Sequence, residues 1–217
     1  MNVDASDPHA RLPLLREAAS SSPEIALLLV HGRGAGAAGM LGLGRDLGQR
    51  LDRPFALFAP QAADATWYPG SFLLPLEDNE PWLSSGLASL SRTSRAIEEA
   101  GLSREAQFLV GFSQGACLAC EFLAREGGRW GGLVAFTGGV QGPLGETRAF
   151  SSALDGTKIA LSTGDPDPHV PVERVRETAA LFEELGARVQ LKEHPGRPHT
   201  ILHEEVEAAA DWLSFPG

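Results

Sequence analysis

The chain has 217 residues, enough for one domain that buries about 70–75% of the surface its unfolded form would expose. At 43% hydrophobic and 21% charged, its composition is that of a globular protein and excludes a low-complexity or disordered one. Lys and Arg number 18 against 28 Asp and Glu, and the resulting net charge of −10 repels phosphate backbones, so nucleic acid is excluded as an expected partner.

The start, MNVDASDPHA, is acidic and polar, which is unlike a secretory leader. The first strong apolar run, Ile25–Val30, is also the longest and is far too short to span a membrane. It reads as a strand buried on both faces, because it does not alternate. His31-Gly-Arg-Gly-Ala-Gly follows it as a glycine-rich turn. A phosphate or dinucleotide loop is the competing reading of that turn, but neither the full G-x-G-x-x-G fingerprint nor the Lys-Ser/Thr of a P-loop is present. Phe55–Ala59 is the next strand. The segment 61–81 is a long connection with exposed-looking Trp67, Tyr68, Phe72 and Leu73, and long loops beside active sites are often functional. Ala88, Leu90, Ile97 and Ala100 then give a helical stripe over 82–100.

Phe108–Gly111 is a further buried strand, and it runs directly into Gly111-Phe-Ser-Gln-Gly. A G-x-S-x-G pentapeptide between a strand and an apolar helix of small residues is a nucleophile elbow. A serine on so tight a turn adopts strained torsions, and glycines at 111 and 115 remove the side chains that would collide there. Ser113 is therefore the candidate nucleophile; its alternative role is to cap the helix that follows. Cys117 and Cys120 lie inside that helix and read as small core residues, since nothing basic surrounds them to lower a thiol pKa. With two cysteines in one short segment, no disulfide scaffold is expected and a cytoplasmic setting follows. In this arrangement, the turn after the first strong strand and the residue after the nucleophile supply the oxyanion-binding amides. These are the backbone N–H groups of Arg33 and Gln114.

Leu133–Phe136 and Ile159–Ser162 complete the buried strands. Gly164-Asp-Pro-Asp-Pro-His-Val-Pro follows and offers Asp165 or Asp167 as the acid that orients a catalytic imidazole. Asp167 stands farther into the loop between two prolines, while Asp165 is suited to stabilising the turn. Residues 172–185 form a helix with Val172, Val175, Ala179 and Phe182 on one face, ended by Gly186. Val189–Lys192 alternates and is nearer an edge. Of six histidines, His199 sits in the loop after that strand; His194 is closer to the strand and is the second choice as base. A last helix covers about 201–214. Strands alternating with helices predict a parallel sheet with helices on both faces, forming one domain over residues 1–217.

The His31-Gly-Arg-Gly turn, the Gly-Phe-Ser-Gln-Gly elbow, Gly164-Asp-Pro-Asp-Pro-His-Val-Pro and Gly196-Arg-Pro-His together resemble the phospholipase/carboxylesterase family, relatives of the acyl-protein thioesterases. The motifs appear in the family's order over roughly residues 25–213. The resemblance implies the α/β-hydrolase fold and a triad of Ser113 as nucleophile, Asp167 as orienter and His199 as base. It makes Trp67 a candidate wall of the acyl pocket; Phe72 of the same loop is a further candidate for binding substrate. Members close to the acyl-protein thioesterases carry His-Gly-x-Gly-Asp, whereas Ala35 follows Gly34 here. The Trp67-Tyr-Pro-Gly-Ser-Phe and Asn79-Glu-Pro stretches look like the bacterial carboxylesterases. The expected activity is therefore hydrolysis of short- to medium-chain carboxylic esters through an acyl-enzyme, with a thioesterase or lysophospholipase on longer acyl chains as the alternative. A non-catalytic binding module is the reading from another class. The expected partner is a small-molecule ester or thioester, with no cofactor, no metal and no membrane span; a homodimer is left open.

Overall fold

The six apolar runs form strands, and a seventh precedes them. The computed structural model describes residues 6–146 and 148–214, so the first five residues of the polar start lie outside it. The strands are β1 (Leu14–Ala18), β2 (Ile25–Val30), β3 (Phe55–Pro60), β4 (Gln107–Phe112), β5 (Gly132–Phe136), β6 (Lys158–Asp165) and β7 (Arg188–Pro195). They make one sheet in the order β1-β3-β2-β4-β5-β6-β7. All neighbours are parallel except β1, which runs antiparallel to β3 from Leu14↔Pro60 to Ala18↔Ala56. β1 has no counterpart among the predicted strands: its LLREA is half polar and half exposed, and its ladder with β3 is what makes it a strand. β7 is the other edge, as its alternation predicts.

β2 shows why a buried parallel strand has no polar alternation. Ala26, Leu28 and Val30 enter one core, and Ile25, Leu27 and Leu29 enter the other, because successive side chains leave opposite faces. Fully burying each Leu or Ile contributes about 1.5–3 kcal/mol, so a polar residue at any of these positions is disfavoured.

The helices are α1 (Ala37–Arg50), α2 (Trp82–Glu99), α3 (Gln114–Glu126), α4 (Val172–Glu184) and α5 (His203–Ser214). α1 and α5 cover one face through Met40, Leu47, Val206 and Leu213. α2, α3 and α4 cover the other through Leu83, Leu90, Leu118, Phe122, Val175 and Phe182. α1 is unpredicted because the glycines of AAGMLGLGRDLGQR read as helix breakers. Its close approach to the sheet needs one of them: a Cβ on Gly44 would stand 2.6 Å from Leu29 Cδ1.

The chain steps from β2 to β3 on one side and then to β4 on the other. That reversal leaves a crevice at the carboxyl ends of β2 and β4, the usual ligand position in open α/β sheets. The connection 61–81 borders it and forms 3-10 turns at Ala63–Ala65 and Leu76–Asn79. Its aromatic side chains are not on the surface as the sequence suggests. Trp67, Tyr68 and Phe72 are 0%, 1% and 6% exposed, because the loop folds inward onto the core that α2 and α3 share. Among the described residues no helix is long and apolar enough to cross a membrane.

Candidate active site

The turn from β4 into α3 is as tight as the pentapeptide implies. Ser113 has φ 53° and ψ −121°, a region that costs a non-glycine residue about 1–3 kcal/mol. It is held there by its N–H donating to Phe136 O at 3.0 Å and by its carbonyl accepting from Cys117 N at 3.0 Å. A Cβ on Gly115 would stand 2.1 Å from Val30 O and 2.5 Å from His31 O, and one on Gly111 would stand 2.6 Å from the Ala116 backbone. Both glycines are therefore dictated by contact. Ser113 precedes α3 but makes no side-chain capping bond; its hydroxyl points away from the helix.

That hydroxyl meets His199. Ser113 Oγ lies 2.9 Å from His199 Nε2, and His199 Nδ1 lies 2.8 Å from Asp167 Oδ2. A carboxylate can only accept, so Nδ1 carries the proton and Nε2 is free to receive one from the hydroxyl. The imidazole is flanked by two rings, Phe112 at 5.1 Å and His169 at 4.8 Å between centroids. Burial by itself would raise the Asp167 carboxyl. The amides of His169 and Val170, each 2.9 Å from Oδ1, and the His199 ring outweigh it, so the carboxyl lies below its ordinary value.

Asp167 thus takes the turn-stabilising bonds expected of Asp165. Asp165 is instead the exposed last residue of β6, which runs three residues farther than its apolar run. His194 is near Glu204 and Glu205 rather than Ser113. His203 is an exposed residue at the start of α5, 72% accessible and beside Asp46.

Above Ser113 is a cavity of about 590 Å³, lined in part by Gly32, Tyr68, Phe72, Phe112, Cys117 and Val170. Arg33 and Gln114 also line it. Gln114 begins α3, where helix N–H groups lack internal acceptors, and the Arg33 N–H has no acceptor among the described residues. Phe72 and Tyr68 both lie on the cavity wall. Trp67 does not: it lies behind the wall, its indole Nε1 donating to His31 O at 2.8 Å. The Cys117 thiol is pushed up to about 12 by burial, which fits a packing residue and not a redox one. No group of three or more His, Cys, Asp or Glu among the described residues could hold a metal ion.

Side chains that sequence reasoning left unassigned fasten this wall. The Arg33 guanidinium donates to the carbonyls of Tyr68, Pro69 and Gly70. The Gln114 amide accepts from Trp67 N at 2.9 Å and donates to Tyr68 O at 2.8 Å. Two buried histidines pin the start of the same loop. His9 donates from Nε2 to Trp67 O and accepts at Nδ1 from Ala63 N. His31 donates from Nδ1 to Gly32 O and accepts at Nε2 from Ala62 N. Apart from the His31 bond to the neighbouring Gly32 carbonyl, the partners of these rings lie more than 30 residues away along the chain, so nothing local signals the roles.

Each of these rings uses one nitrogen as donor and one as acceptor, so protonation would set a new N–H against an amide N–H. Burial holds both below the ordinary 6.5. A depressed imidazole stabilises the fold fully above the unfolded value, and this contribution is lost as pH falls below 6.5 and the unfolded chain takes up the protons. The thermal midpoint should therefore drop between about pH 7 and about pH 5, and the drop should shrink in His9→Phe. A flat profile over that interval would contradict neutral, buried rings.

Comparison with known proteins adds the relatives. The family model for Phospholipase/Carboxylesterase matches residues 62–215. A probable carboxylesterase SOBER1-like protein of Arabidopsis thaliana is 27% identical over 64% of this chain, and the match spans 55% of that protein, little more than half its length. Acyl-protein thioesterase 1 of Debaryomyces hansenii is 25% identical over 93% of this chain and 96% of its own. A crystal structure of a phospholipase/carboxylesterase from Dyadobacter fermentans superposes with a TM-score of 0.87 at 37% identity, covering 94% of this chain and 96% of the other.

Proposed function

Because the chain belongs to the phospholipase/carboxylesterase family of α/β-hydrolases, we propose that it is a serine carboxylesterase acting on short- to medium-chain esters through an acyl-enzyme. The observation that carries this reading is the continuous path from Ser113 Oγ through both nitrogens of His199 to Asp167, at 2.9 and 2.8 Å. His199 Nε2 takes the hydroxyl proton as Oγ attacks the ester carbonyl carbon. The carbonyl oxygen becomes an oxyanion facing the Arg33 and Gln114 amides, and each such donor contributes about 3–4 kcal/mol to the transition state. The tetrahedral intermediate collapses, and the alcohol oxygen leaves with the proton now on Nε2. Water then attacks the acyl-enzyme, giving its proton to Nε2, and the acid departs as Oγ recovers a proton. Asp167 accepts the Nδ1–H throughout and favours the imidazolium by its charge.

The preference for shorter acyl groups rests on the cavity floor. Tyr68 and Cys117 line the cavity, are each 1% exposed and belong to the core that α2 and α3 share, which favours a pocket bounded on that side. A cytoplasmic setting is part of the same reading, since both cysteines are unpaired.

A fluorophosphonate should label Ser113, and kcat/KM on p-nitrophenyl esters should peak at or below about eight acyl carbons, within a cavity of the usual size for small-molecule sites. Rates that keep rising to palmitate would instead favour the long-chain reading.

A further inference from the structure

The loop that carries His199 rests on a buried ion pair that the reaction does not touch. Arg197 and Glu205 are 4% and 1% exposed. Arg197 Nη1 donates to the carbonyls of Pro198, at 2.9 Å, and Thr200, the two residues on either side of His199. Its Nη2 donates to Thr137 Oγ1 at 2.7 Å, just past the carboxyl end of β5. Its Nε lies 3.3 Å from Glu205 Oε2. Glu205 in turn accepts from Leu202 N at 2.7 Å and from Ser162 Oγ on β6, and its other close titratable neighbour is His194, 3.9 Å away. One guanidinium thus joins β5, the His199 loop and the first turn of α5.

From this geometry we infer that Arg197 is a positioning residue, whose fork on the carbonyls around His199 sets the aim of the imidazole at Ser113, with Glu205 fixing the fork. The inference rests on His199 being the base. Stability alone does not call for such a pair, because replacing a buried ion pair by well-packed apolar residues is often neutral or stabilising. What an apolar plug lacks is direction. The planar guanidinium offers several donors at fixed angles, here spent on the backbone either side of one catalytic side chain. Proton transfer over 2.9 Å is sensitive to such aim, since a misplacement of about 1 Å can cost about 100-fold in rate.

Arg197→Lys separates aim from charge: the ammonium still pairs with Glu205 but cannot reach both carbonyls and Thr137 together. With p-nitrophenyl butyrate, kcat should fall about 10–100-fold, with KM within about twofold and circular dichroism unchanged. A folded Arg197→Lys with the parent kcat, or one whose loss lies in KM, overturns the inference. If this variant does not fold, Glu205→Gln replaces it; the amide oxygen still accepts from Leu202 N, its NH2 can donate to Ser162 Oγ, and the charge is removed. A fall of about tenfold in its kcat at unchanged KM supports the role, and a parent kcat overturns it. Fluorophosphonate labelling and Ser113→Ala run alongside as controls. Failure of the parent to label, with Ser113→Ala still active, defeats the catalytic reading itself. Full labelling with an indifferent Arg197→Lys defeats only the positioning role.

Discussion

Ser113→Ala should lower kcat on p-nitrophenyl butyrate by about 10⁴-fold or more while the protein stays folded. The size follows from what is removed. Without Oγ there is no acyl-enzyme, and His199 has no nucleophile within 2.9 Å. What remains is whatever the Arg33 and Gln114 amides and the cavity contribute to direct attack by water. Folding should be spared because alanine keeps the Cβ, and with it the same backbone at φ 53°. The two bonds that hold this torsion, to Phe136 O and from Cys117 N, are main-chain bonds and survive the change. Asp167→Asn and His199→Ala should not add to the loss in the double variants, since residues acting as one unit are strongly non-additive. Retention of most activity in Ser113→Ala, measured with protein free of contaminating esterase, would remove the nucleophile and the mechanism with it.

Gly115→Ala should fail in the opposite way, by losing stability. The added methyl would stand 2.1 Å from Val30 O and 2.5 Å from His31 O, and neither atom can move freely. Val30 ends β2 within the ladder to β4, and the turn after it carries the candidate oxyanion amide. Relief requires α3 to lift off the sheet or the turn to shift. Overpacking of this kind typically costs about 1–3 kcal/mol, and the upper end or beyond is expected where both clashing atoms are backbone. That is a large part of a stability of about 5–15 kcal/mol, so a fall of many degrees in thermal midpoint should accompany loss of fluorophosphonate labelling. Unfolding by heat or urea with the midpoint of the parent protein would show that the turn is looser than its contacts imply.

The two substitutions divide what can be read along the chain from what cannot. Gly111, Ser113 and Gly115 are adjacent, and steric exclusion at a strand-to-helix turn is a local matter. The same holds for the apolar runs of β2 to β6, where hydrophobic burial on both faces leaves a continuous signature, and for the alternation that marks β7 as an edge. β1 and α1 are not legible in the sequence because their own residues argue against them. LLREA is a strand only through its pairing with β3, and the glycines of α1 are tolerated because its helix packs closely on Leu29 and Phe55.

Within the site, the identity of the reacting groups was readable and their aim was not. A serine on a glycine-flanked turn, an aspartate after a strand and a histidine in a late loop could be picked out one at a time, because each obeys a short-range rule. Local rules do not separate Asp167 from Asp165, and the turn bonds they suggest for Asp165 belong to Asp167. Trp67 was placed on the pocket wall, yet it is fully buried behind it, since which way a loop aromatic turns depends on the core it meets. The roles of His9, His31, Arg33 and Arg197 are of the same kind. Linear order carries propensity, burial pattern and steric exclusion, all set by near neighbours. Hydrogen bonds between residues tens of positions apart exist only after the sheet and its helices have brought them together, so direction and distance at the site belong to the tertiary structure.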